Sequence, residues 1–166
     1  MPDKDTLRRA KRDKRQGKSP TTQAGEFVRE EIHHIREGKH GARSARQAIA
    51  IGLSKARRAG VDLPPPEKGE TADETREQAK RDLSRGRRGS SRKPSAKRSR
   101  AAREALKDEK KSVASKKALS EHARKAARKR TPAERSASAR KGVHKRNAEE
   151  RSASAKKAAR TRARKG

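Results

Sequence analysis

The stretch TTQAGEFVREEIHHIREGKHGARSARQAIAIGLSKARRAGVDLPPP, Thr21 to Pro66, is where apolar residues fall most clearly into helical spacing, and its reading decides the fold. Val28, Ile32 and Ile35 stand at i, i+4 and i+7 with Phe27 beside them, one face of an α-helix that stops at Glu37-Gly38. After the basic turn Lys39-His40-Gly41, Ser44 is placed to cap a second helix. In it Ala45, Ala48, Ile49, Gly52, Leu53 and Ala56 line one stripe, and Ile51 falls to one side. The second helix stops at Gly60, and Val61-Asp62-Leu63 leads into Pro64-Pro65-Pro66, a stiff extended spacer. Two amphipathic helices with a short connection predict a helical hairpin over residues 21–63, with Phe27, Val28, Ile32, Ile35, Ile49 and Leu53 as its core.

A unit of this size is near the lower limit for folding without metal or disulfide, so the hairpin is expected to form a homodimer or to be marginally stable. Gly52, facing Ala45, Ala48 and Ala56, would let another backbone approach closely, which suits a dimer seam; the alternative is a glycine that merely weakens a surface helix. His33, His34 and His40 lie among Glu30, Glu31 and Glu37. Glu30 and His33 have the i, i+3 spacing of carboxylate di-metal bundles, but those sites need a second such pair and a dry four-helix core. The expectation is therefore polar residues on the wet face of an amphipathic helix, with no metal and no cofactor.

Outward from the hairpin, composition takes over. The 166 residues carry 51 Lys plus Arg against 21 Asp plus Glu, a formal +30, which points to a nucleic-acid partner. Hydrophobic residues make up 27 % of the chain and Phe27 is the sole aromatic, too little burial to offset chain entropy over most of the length. The expected fold class is mostly disordered and all-α: a basic disordered segment over 1–20, the hairpin, a charged Pro/Gly/Ser-rich linker over 64–98 in which Thr71–Leu83 reads as a solvated helix and Ser84–Pro94 as disorder, and a basic arm of short conditional helices over 99–166. There is no Cys, hence no disulfide framework and no thiol chemistry. The N-terminus has charges where a signal peptide needs an apolar run, and no stretch approaches a membrane span, so a soluble cytoplasmic protein without membrane contact is expected. No phosphate-binding glycine loop, no paired carboxylates on an apolar scaffold and no nucleophile–base set points to an enzyme.

Positive charge concentrates toward the C-terminus. Residues 1–63 carry a net +8 and residues 64–90 a net +1, whereas residues 115–166 hold 19 basic against 4 acidic side chains, a net +15. This last part repeats with a period of sixteen: SKKALSEHARKAARKR (115–130), TPAERSASARKGVHKR (131–146) and NAEERSASAKKAARTR (147–162). Each copy opens on a capping residue, Thr131-Pro132-Ala133-Glu134 being a capping box with Pro at the first helical position, and each ends on Lys and Arg. The apolar positions are nearly all Ala, with Leu119 and Val143 as exceptions, so each copy reads as a short separate helix that gains order when phosphates neutralise it.

The residues expected to contact DNA are Arg124, Lys125, Arg128, Lys129 and Arg130; Arg140, Lys141, Lys145 and Arg146; and Lys156, Lys157, Arg160, Arg162, Arg164 and Lys165. Upstream, Arg85, Arg87, Arg88, Arg92, Lys93, Lys97 and Arg98 join them. Arg85-Gly86-Arg87 resembles the core of an AT-hook, in which a Gly between two Arg lets the backbone sink into a narrow minor groove, although Arg88 stands where a Pro usually follows.

Thr21–Pro66 resembles the N-terminal module of small, very basic bacterial proteins of unassigned function, often labelled DNA-binding or plasmid-stabilisation proteins. The Lys/Arg/Ala/Ser tail resembles bacterial histone-H1-like proteins, and ERSASARKGVHKR (Glu134–Arg146) is similar to basic helix repeats of nuclease-associated modules and lysine-glycine stress proteins. What the resemblance implies is nucleoid association in a bacterium. The expected function is sequence-independent binding of duplex DNA. The alternatives are an RNA- or ribosome-associated assembly factor, and an adaptor that grips a protein through the hairpin and uses the arm as a DNA tether.

Overall fold

The computed structural model describes residues 2–89, 95–144 and 148–164, and its regular elements there are all helical apart from one bridge between Lys68 and Thr71. The chain divides into two compact units, Met1–His122 and Ala123–Gly166. The first holds α1 (Lys4–Arg15), α2 (Pro20–Arg36), α3 (Ala45–Arg58), α4 (Asp73–Arg87), α5 (Ala96–Lys107) and a 3-10 turn, Lys111–Ala114. α6 (Lys116–Arg128) begins in it, while α7 (Pro132–His144) and α8 (Ala148–Ala163) belong to the second unit.

Among the described elements the α2–α3 contact is the most extensive. Ser44 caps α3 by accepting from the Gln47 amide at 3.1 Å, and Gly38 ends the turn beyond α2 at φ +77°. Ala24, Phe27, Ala56, Val61 and Leu63 form one buried cluster, with Leu53 packed against it. Ile32, Ile35, Ala42 and Ala48 form a second, with Val28 against it, whereas Ile49 is half-buried and joins neither. Gly52 lies where the helices cross: a Cβ there would stand 2.7 Å from the Val28 Cα. Its missing side chain thus serves a contact inside the chain, and the dimer-seam reading of this stripe loses its basis.

Two expectations of disorder are corrected. Residues 4–15 form α1, whose Thr6, Ala10 and Asp13 are buried, with Ala10 and Leu7 completing the Phe27 cluster. The linker is likewise structured in part, because α4 docks on α3 through Ala79, Asp82 and Leu83 at helical spacing. Asp82 hydrogen-bonds Ser54 Oγ and accepts from Gln78 Nε2 at 3.1 Å, and Arg58 Nε lies 3.6 Å away. Gly86 presses on the Arg57 carbonyl, so that a Cβ there would overlap it. Arg57, buried between them, donates to the carbonyls of Leu63 (3.1 Å) and Pro64 (3.0 Å), which pins the start of the proline spacer. Burial pulls its pKa below the ordinary guanidinium value, partly opposed by the charge of Asp82.

The second cluster is sealed from far along the sequence. The Gly41 amide donates to Leu106 O (2.7 Å) and that of Ala42 to Lys110 O (3.3 Å), Arg36 Nε donates to Ala114 O (2.8 Å), and Ala114, Val113 and Leu119 pack on Ile32 and Ile35. The small hairpin is therefore the middle of a larger helical unit, which covers its apolar faces with α1, α4 and residues 106–119.

Candidate nucleic-acid interface

The repeats of the arm are helical in the structure, which differs from the expectation of order only on contact with phosphates. Ala-rich composition favours helix, and caps stop and restart it. Ser115 Oγ accepts from the Ala118 amide at 3.2 Å at the start of α6. At α7 the capping box is complete: Glu134 Oε2 accepts from the Thr131 amide at 2.7 Å, and Thr131 Oγ1 from the Glu134 amide at 3.2 Å. The Thr131 amide first, and then the Thr131 hydroxyl, which donates to the same Oε2 at 2.9 Å, hold the Glu134 carboxyl below its usual pKa, with Arg130 adding to the effect. The break between Arg128 and Pro132 makes α6 and α7 separate helices. Asn147, the cap expected for the third copy, lies outside the described residues.

Every described side chain from Ala123 to Arg164 is exposed, and Val143, half exposed, is the one large apolar residue so placed among the described residues. The arm therefore offers Arg124, Lys125, Arg128, Lys129, Arg130, Arg140, Lys156, Lys157, Arg160, Arg162 and Arg164 to solvent. Lys156, Lys157 and Arg160 share roughly 100° of the α8 circumference, with Arg162 turned to the other side. Among the described residues, the ion pairs all fall between residues 3 and 109, so none ties up a cation of this arm. Lys145, Arg146 and Lys165, and the side chain of Lys141, lie outside the described residues.

Upstream residues fare differently. Arg85-Gly86-Arg87 forms the last turn of α4, with Gly86 against the Arg57 carbonyl and Arg87 donating to Asp62 Oδ1 at 3.0 and 2.7 Å. Arg88 donates to Ser84 Oγ at 2.6 Å. A minor-groove hook needs extended backbone with its glycine free, so the AT-hook reading is corrected: this glycine is used for helix packing. Lys97 is exposed on α5, while Arg92, Lys93 and the side chain of Arg98 lie outside the described residues.

One basic surface escaped the sequence reading. Arg8, Lys11, Arg12 and Arg15 are all exposed and fall within roughly 100° of the α1 circumference, opposite Thr6, Ala10 and Asp13. The signal was the i, i+3, i+4, i+7 spacing of cations rather than of apolar residues.

The wet-face reading of the His/Glu group also needs correction. His33 and Glu37 are exposed and paired at 2.9 Å, but Glu31 is fully buried, Glu30 is 5 % exposed, and the His34 and His40 side chains are largely covered. Glu31 is held by Lys55 Nζ at 2.5 Å and His40 Nε2 at 3.2 Å. His40 Nδ1 lies 3.1 Å from the Gly41 carbonyl, and the His34 and His40 rings meet edge-on with centroids 6.4 Å apart. Glu30 and His34 lie against Asp3 at the start of α1, a segment whose sequence carries no apolar period to announce a helix.

No helix among the described residues is long and apolar enough to cross a membrane. No curated protein and no solved structure matches the chain. Residues 11–68, from the second half of α1 through α3 to the spacer beyond, are similar to one family, described only as a family of unknown function, DUF6496.

Proposed function

We propose that this protein binds duplex DNA without regard to sequence, as a nucleoid-associated, histone-like protein that neutralises phosphates with its C-terminal helices. One observation carries the reading: residues 115–166 hold 19 basic and 4 acidic side chains, and the described cations beyond Ala123 are exposed and outside any ion pair. Such an arm has no core to protect and no base-reading geometry, so counterion release from the phosphate backbone supplies its affinity. The α1 stripe adds a second patch of the same sign on the other unit. Phe27, the sole aromatic, is 1 % exposed, which leaves no platform for stacking single-stranded bases and favours a duplex over an unpaired RNA. The adaptor reading has less support, because the apolar faces of α2 and α3 are covered within the chain.

The test is fluorescence anisotropy on a labelled duplex across a salt series. If six to ten phosphates are neutralised, affinity should fall on the order of 10³- to 10⁵-fold between about 50 and 200 mM salt. Removing residues 115–166 should abolish most of the binding. A weak salt slope, or undiminished binding by the truncated chain, would sink the proposal, and preference for structured RNA in competition would transfer it to the ribosome-associated class.

A further inference from the structure

We propose that Asp3, Glu30 and His34 form a binding site for a divalent transition-metal ion of the zinc class, in the cleft between the start of α1 and α2. The three residues bring one ligand atom each to within 4.8 Å of one another. Imidazole nitrogen with carboxylate oxygen is a donor set that zinc-class ions take, at about 2.0–2.2 Å from each atom, with the remaining position left for water.

A buried carboxylate without a partner points to the ion. Glu30 is 5 % exposed, and its Oε1 has no hydrogen-bond partner; Oε2 accepts only the Asp3 amide, at 3.2 Å. Burying an ionised oxygen without compensation is costly, and here it happens in a chain with thirty excess positive charges. Arg9, Arg29, Lys4 and Lys39 line the cleft, yet among the described residues no ammonium or guanidinium is paired with Glu30 or Asp3. Among the described residues the Asp3 carboxylate meets only His34 Nε2, at 3.4 Å, longer than a good hydrogen bond and open to insertion of a cation.

The adjoining set settles which side the ion takes. Glu31, His34 and His40 also lie within 4.8 Å of one another, but Lys55 already neutralises Glu31 at 2.5 Å. The uncompensated charge is on the Asp3–Glu30 side, where a cleft of about 540 Å³ gives an ion a way in. His40 meets the His34 ring edge-on, a contact that limits how that ring turns.

The experiment is calorimetric titration of the full chain, free of nucleic acid, with Zn²⁺, and with Co²⁺ followed by its visible absorption; Mg²⁺ and Ca²⁺ serve as controls. One equivalent of Zn²⁺ should bind, and Mg²⁺ and Ca²⁺ should not compete. Glu30→Gln and His34→Ala should each weaken Zn²⁺ at least about tenfold, the order by which even outer-shell partners tune metal affinity, whereas His33→Ala, one position along and exposed, should not. Glu30→Gln also gives a readout that a purely structural role would not: without metal it should raise the melting temperature, by removing the unpaired charge, and it should lose the further rise that Zn²⁺ gives the parent chain. Absence of saturable binding, unchanged affinity in Glu30→Gln, or loss of binding in His33→Ala instead of His34→Ala would overturn the site.

Discussion

Gly52 and Gly86 show how much of this fold hangs on atoms that are absent. Gly52→Ala would gain about 1 kcal/mol of helix propensity on an exposed surface, but its Cβ would stand 2.7 Å from the Val28 Cα and 2.9 Å from its N. Backbone atoms in a packed helix cannot step aside, so overpacking should win. A net loss of about 1–3 kcal/mol is expected in urea unfolding, and Gly86→Ala should behave alike through the Arg57 carbonyl. Ala101→Gly, on the exposed face of α5, supplies the propensity-only comparison. A stabilised Gly52→Ala protein would contradict so close a crossing of α2 and α3. The sequence marked Gly52 as a place of close approach; which backbone approaches was invisible, because spacing within one helix says nothing of the neighbour it meets.

Among the elements, α2 and α3 were legible because Val28, Ile32 and Ile35 carry the apolar period, and Ser44 and Gly60 bracket α3. α1 was not, since its buried stripe is Thr6, Ala10 and Asp13, a pattern that hydrophobic periodicity does not register. α4 was foreseen only as a solvated helix, its buried Asp82 being recognisable once Ser54 and Arg58 are opposite it. The candidate interface was read as charge from the start, and its repeat boundaries were visible in the caps. Replacing Arg8, Lys11, Arg12 and Arg15 by Gln, on a face that buries nothing, should leave the unfolding curve unchanged while lowering the salt slope of DNA binding by up to about 0.9 for each phosphate that α1 no longer neutralises. An unchanged slope would remove α1 from the interface.

The capping box of α7 makes a pH prediction. A carboxyl whose pKa is depressed in the folded state adds stability above its unfolded value and loses it as pH falls through the folded one. Glu134 is such a group, so α7 should fray on the acid side of the usual carboxylate range, seen as loss of the amide shifts of Thr131 and Glu134 by NMR. Thr131→Ala should produce the same fraying at neutral pH.

At the scale of the whole molecule, composition understated the order of the chain up to Leu119 and of the helices of the arm alike. Residues 2–89 bury enough small and apolar surface to fold because α1 and α4 add Ala10, Ala79 and Leu83 to a hairpin that would be marginal alone. From Ala123 onward every described side chain is exposed. A chain ending at His122 should therefore keep the cooperative unfolding transition of the full protein in calorimetry. Loss of that transition would mean that the arm supports the fold.

The contacts from Leu106 to Leu119 onto Gly41, Ala42 and Ile35 also set an order of events during synthesis. Residues 21–63 leave the ribosome early, yet the roof over Ile32 and Ile35 arrives only when Ala114 and Leu119 do. Until then the half-built unit exposes that cluster, and a fragment ending at Pro66 should stay in this open condition permanently, binding hydrophobic dyes and yielding to protease. The exposed cations from Arg124 onward emerge after Leu119, so the core can close before they leave the ribosome.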